Sequence, residues 1–130
     1  MAQTITTRVR GQLSMLTIAF LLGMAVNLIG LPSETSGGTK TATSIFLGLH
    51  GLVGLGLLVG AILTSIGVRK TRPEYSKLAG AGGAAIGLTL VCGLADMATE
   101  SNWWAYLMGV GFIASFLLYG KLFVQLNRAK

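Results

Sequence analysis

Residues 44–67, SIFLGLHGLVGLGLLVGAILTSIG, carry no charged side chain over 24 consecutive positions. A helix of that length rises about 36 Å, against a bilayer hydrocarbon core of roughly 30 Å. So long an uncharged run restricts the chain to a fold in which helices cross a membrane. At about 100° per residue, Ile45, Gly48, Leu52, Leu55, Val59, Ile62 and Leu63 fall within one arc of about 100°. That arc reads as the lipid face. His50 points away from its centre, among Gly51, Gly54, Gly56, Gly60, Thr64 and Ser65. Small residues let helix backbones approach closely in lipid, so this side, and His50 with it, is expected to face the interior of a bundle.

Three further apolar runs have spanning length: residues 12–31, 78–97 and 103–125. With 44–67 they predict an all-α, four-helix transmembrane bundle, a single domain over residues 1–130. A composition of 52% hydrophobic and 11% charged residues, with mean hydropathy +0.71, lies outside the range of soluble domains. The 19 glycines follow no Gly-X-Y period and suit close helix contacts in lipid. The first run exceeds the usual ~7–15 apolar residues of a signal peptide, and no A-x-A site follows it, so a retained helix is expected. Within it Ala19, Gly23, Asn27 and Gly30 read as one small-residue packing stripe. Residues 32–43, PSETSGGTKTAT, read as a loop, and 68–77, VRKTRPEYSK, as a second, basic one. In the third run Gly82, Ala85, Thr89, Cys92, Gly93 and Asp96 share a face. After a tight turn at 98–102, Trp103, Trp104 and Tyr106 open the fourth helix as a headgroup-level aromatic anchor.

The net charge of +6 marks topology rather than nucleic-acid binding, because the charges flank apolar runs and no basic helix with interleaved aromatics exists. In the four-span arrangement 9 of the 10 basic residues share one side and only Lys40 is opposite. By the positive-inside rule both termini are cytoplasmic and the expected home is the inner membrane. Glu34, Asp96 and Glu100 then lie at or beyond the outer boundary.

Four polar residues are expected in one layer of the outer half: Asn27, His50, Asp96 and Tyr106. Ionisable groups within a membrane are costly and are functional candidates for that reason. The blander reading makes His50 hydrogen-bonded glue, paired with Asn27 or Asp96, and it is favoured because a shallow pair near water is affordable. The sharper one makes His50 a ligand for haem b, with Met24, Met97 or Met108 or with the histidine of a second copy, or for copper. His50 is the only histidine and Cys92 the only cysteine, so no intrachain disulfide or CxxC site is available and no metal set is expected. No carboxylate occupies a mid-bilayer position, unlike small four-helix drug exporters. No base stands beside a Ser, Thr or Cys to make a catalytic site. Helix packing is expected at Gly54 and in the pairs Gly56/Gly60, Gly83/Gly87 and Gly111/Ser115.

The phrases LGLHGLVGLGLL and NWWAYLMGVGFIASFLLYG resemble small, uncharacterised four-pass prokaryotic membrane proteins, from about Ser44 onward. That resemblance implies the four-pass fold and carries no established activity. Related layouts place a second histidine in the fourth helix, which this chain lacks. The expectation is therefore an accessory, assembly or interaction component without a cofactor. The alternative is a small transporter or a haem- or metal-binding membrane protein built on the layer around His50. Expected partners are the lipid bilayer and a second copy or larger membrane complex, and no nucleic acid.

Overall fold

A computed structural model describes residues 2–99 and 101–128. Glu100, expected in the turn before the fourth helix, and Lys130 of the basic tail lie outside them. Four helices follow one another: α1 (Ala2–Ile29), α2 (Gly37–Thr71), α3 (Ser76–Thr99) and α4 (Asn102–Arg128), with a 3-10 turn, Pro73–Tyr75, between α2 and α3. Each of the four is long and apolar enough to cross a membrane, and no strand occurs among the described residues. Short connections force antiparallel neighbours. The closest pairings are α3 with α4 and α1 with α2, and contacts of α2 with α3 and of α1 with α4 close the ring.

All four helices are longer than the apolar runs alone implied. The polar lead at residues 2–11 is helical because Ile5 and Val9, 4% and 0% exposed, continue the buried stripe of α1 by one and two turns. Residues 37–43, expected as loop, form the start of α2, where Thr43 is fully buried and its hydroxyl donates to the Thr39 carbonyl at 2.9 Å. The loop shrinks to residues 30–36. It is entered through Gly30, whose φ of +97° suits glycine and whose N–H caps the Val26 carbonyl at 2.9 Å. Gly30 is thus a helix terminator rather than the packing residue its spacing suggested. At the other end α2 runs through Arg69 and Lys70, good helix formers that also complement its C-terminal dipole. It stops at Arg72, since Pro73 disfavours helical geometry in the residue before it.

One stripe per helix faces the bundle axis. In α1 it is Ile5, Val9, Gln12, Leu16, Ala19 and Val26, in alternating steps of four and three as far as Ala19 and one step of seven to Val26. In α2 it is Leu57, Ala61, Thr64 and Val68, and in α4 Ser115, Tyr119, Leu122 and Leu126. In α3, Ala79, Gly82, Ile86 and Cys92 are buried. The seven residues predicted for the lipid face of α2 are all exposed. So are Leu28 of α1 and Leu117 of α4, at 80% and 66%. An outer surface this apolar around four spanning helices belongs to a multi-pass membrane protein.

Candidate functional site

Glycine spacing brings the helices into contact, and the residue opposite each glycine decides how close. A Cβ on Gly56 would stand 2.8 Å from the Met15 Cε, and one on Gly60 would overlap the Gln12 amide. Gly54, Gly83 and Gly87 are looser: their nearest neighbours, Leu90, Ser65 and Leu58, would lie 3.5, 3.5 and 4.0 Å from an added Cβ. Two tighter contacts join α3 to α4. A Cβ on Gly82 would come 2.9 Å from the Tyr119 ring, and one on Gly111 would overlap the Thr89 hydroxyl and sit 3.6 Å from the Thr89 Cα.

His50 is half-buried in the α1–α2 interface. Its Nδ1–H donates to the Ala19 carbonyl at 2.8 Å, and its Cε1 would lie 3.1 Å from a Cβ on Gly23. A carbonyl can only accept, so the bond places the proton on Nδ1 and leaves the lone pair of the neutral ring on Nε2. Gly23 provides room for the imidazole, and Ala19 provides the acceptor one turn earlier. Along α2 the nearest charged residue is Lys40, about 15 Å away at 1.5 Å per residue.

None of the other three residues of the expected layer is hydrogen-bonded to His50, whose ring bonds the Ala19 carbonyl. Asn27 is exposed. Two successive four-residue steps turn it about 80° from Ala19, whereas a four and a three keep Val26 within about 20°. Val26, 7% exposed, takes the inward position instead. Tyr106 is 65% exposed and stacks on Trp103 with ring centroids 5.8 Å apart, on the outside of the bundle. Asp96 is half-buried on the small-residue face of α3. Among the described residues no group of three His, Cys, Asp or Glu side chains comes together to hold a metal, and the ring of His50 is anchored on a backbone carbonyl.

A second polar group, not anticipated from the sequence, occupies the opposite half of the bundle. Gln12 is 4% exposed; its Nε2 donates to the Leu57 carbonyl at 3.4 Å while its Oε1 has no partner. The hydroxyls of Thr64 and Tyr119, each on a residue 1% exposed, are likewise unpartnered. Register places the three on one half: Gln12 meets α2 at Gly60, Thr64 follows one turn on, and Tyr119 covers Gly82 near the Ser65–Ala79 hydrogen bond of 3.3 Å. The signal for Gln12 was present in its spacing, seven residues before Ala19 and four before Leu16. Tyr119, set among FLLYG, had no such signal, since it is one more large residue in an apolar run.

No family model, curated protein or solved structure matches the chain.

Proposed function

We propose that this protein is an accessory or assembly component of the inner membrane, with both termini cytoplasmic, working through its outer faces. What supports this reading is the filling of its interior. Gln12 rests on Gly60, Met15 on Gly56, Tyr119 on Gly82 and Thr89 on Gly111, so the side chains along the axis are used in holding helices together. A substrate path through the bundle would require these contacts to separate. Orientation rests on charge: among the described basic residues Lys40 stands alone at one end of the bundle, and all others lie at or near the opposite end. In intact cells an impermeant thiol reagent should label Ser36→Cys and spare Glu74→Cys; the reverse pattern would invert the topology.

One observation favours a second reading, a bound haem or metal. The Ala19 carbonyl fixes the His50 tautomer with its lone pair on Nε2, as an outer-shell partner does for a ligating imidazole. Purified protein and two His50 variants separate the readings. Under the accessory reading the wild type shows no Soret band and no stoichiometric metal. His50→Asn, whose amide nitrogen overlays Nδ1, should then retain more thermal stability than His50→Leu, by about 1 kcal/mol for one hydrogen bond. A chromophore or metal present in wild type and lost equally from both variants, at unchanged stability, would establish the ligand role instead.

A further inference from the structure

We infer that the groove between α2 and α3, at the basic end of the bundle, is a binding site for an anionic phospholipid. The groove has a volume of about 250 Å³ and is open to the outside of the bundle, where Ile62, Ile66, Arg69 and Gly80 are exposed. Ile62, Ile66, Ser65 and Arg69 of α2 line one wall, and Gly80 and Gly83 of α3 the other. Gly80 leaves the groove open, since even an added Cβ there would meet nothing within 4 Å. Its walls are held together by the Ser65 hydroxyl, which donates to the Ala79 carbonyl at 3.3 Å across the two helices.

Chemistry changes along the groove. Ile62 and Ile66, 53% and 47% exposed, offer apolar surface of the kind an acyl chain covers. Arg69 stands at the charged end, exposed, with Lys70 beside it and Lys77 at the start of α3. Glu74, the acidic residue of this segment, pairs with Arg72 at 3.7 Å rather than with Arg69. A guanidinium binds phosphate through two parallel N–H bonds, and basic grooves between membrane helices favour anionic headgroups. A second copy is a poor occupant, because a two-fold contact through this groove would bring Arg69 and its neighbours against their own copies. An anionic lipid satisfies both ends of the groove at once. This assignment goes beyond the accessory role and requires only that the helices span a membrane.

Lipid retention by native mass spectrometry, with thermal stability in detergent, tests it. The probes are phosphatidylglycerol, phosphatidylcholine of the same chains, and inorganic phosphate. Wild type should bind phosphatidylglycerol in preference to phosphatidylcholine and gain no stability from phosphate. Arg69→Gln should lose about five-fold of that preference, the scale of one basic residue near an anionic surface, and Arg69→Lys should keep most of it. Gly80→Leu should fold, since its position is open, and bind both lipids less. Lys121→Gln, on α4 and outside the groove, should match wild type. Equal binding of the two lipids by wild type, equal losses in Arg69→Gln and Lys121→Gln, or stabilisation by phosphate alone would each overturn the assignment. So would a dimer that Gly80→Leu dissociates without any change in bound lipid.

Discussion

Leucine in place of Gly111 should cost about 3 kcal/mol or more, enough to prevent a stable bundle, while Gly109→Leu should change stability little. Both glycines lie in α4, two residues apart, so helix propensity and hydrophobicity change alike in the two variants. Their surroundings differ. Gly111 is buried against α3, where even a methyl group would overlap the Thr89 hydroxyl and touch the Thr89 Cα at 3.6 Å, leaving no room for anything longer on that side. The Thr89 hydroxyl is also committed locally, donating to the Ala85 carbonyl at 2.8 Å. It therefore cannot swing aside without losing that bond, and the two helices would have to separate. In lipid, helix association rests on close packing because lipid tails are as apolar as the side chains they would replace. Gly109 is exposed, and a Cβ there meets nothing within 4 Å. Thermal unfolding in detergent gives the comparison. Equal losses at the two positions would show that α3 and α4 do not meet at Thr89.

Tyr119→Phe and Thr64→Val are expected to act in the opposite direction, each raising stability by up to about 1–3 kcal/mol. Most substitutions of buried residues destabilise, so a gain would be diagnostic. The basis is the pair of hydroxyls that lie buried without a hydrogen-bond partner, on residues only 1% exposed. Each has given up solvation and received nothing in return, and removing it abolishes that penalty at nearly constant volume. Tyr119 keeps its packing in the phenylalanine form, since its ring already lies against Gly82. Unfolding midpoints of the single and double variants measure the effect. A loss of more than about 1 kcal/mol in either single variant would show that its hydroxyl is hydrogen-bonded, and the interior polar group would then have to be rebuilt around that bond.

How much could be read from residues alone differs between helices. For α2 the separation of Leu52, Leu55 and Val59 from Gly54, Gly56 and Gly60 separates its outer and inner faces without knowledge of any partner. Most large and small side chains segregate there, with Leu57 buried and Gly48 and Gly51 exposed as the exceptions, and 3.6 residues per turn does the rest. The same holds for α3, where Gly82, Ala85, Thr89, Cys92 and Asp96 are all at least half-buried. In α1 the small residues misled. Ala19, Gly23, Asn27 and Gly30 suggested one stripe, but the helix turns out of that register after Gly23 and ends before Gly30.

Local chemistry determined that the chain is helical, that four segments suffice to cross a membrane, and which face of α2 meets lipid. Those properties follow from hydropathy and helical period, both carried by residues close in sequence. Tertiary structure decided who stands opposite whom. His50 bonds the Ala19 carbonyl, 31 positions away in sequence, and not Asn27 or Asp96. Gln12 fits beside Gly60, and Tyr119 covers Gly82. Such pairings depend on how far each helix slides and rotates against its neighbours, and a shift of one residue turns a side chain by about 100°. No pattern within a single helix contains that information, so the polar contacts of this protein emerge only once the four helices are packed.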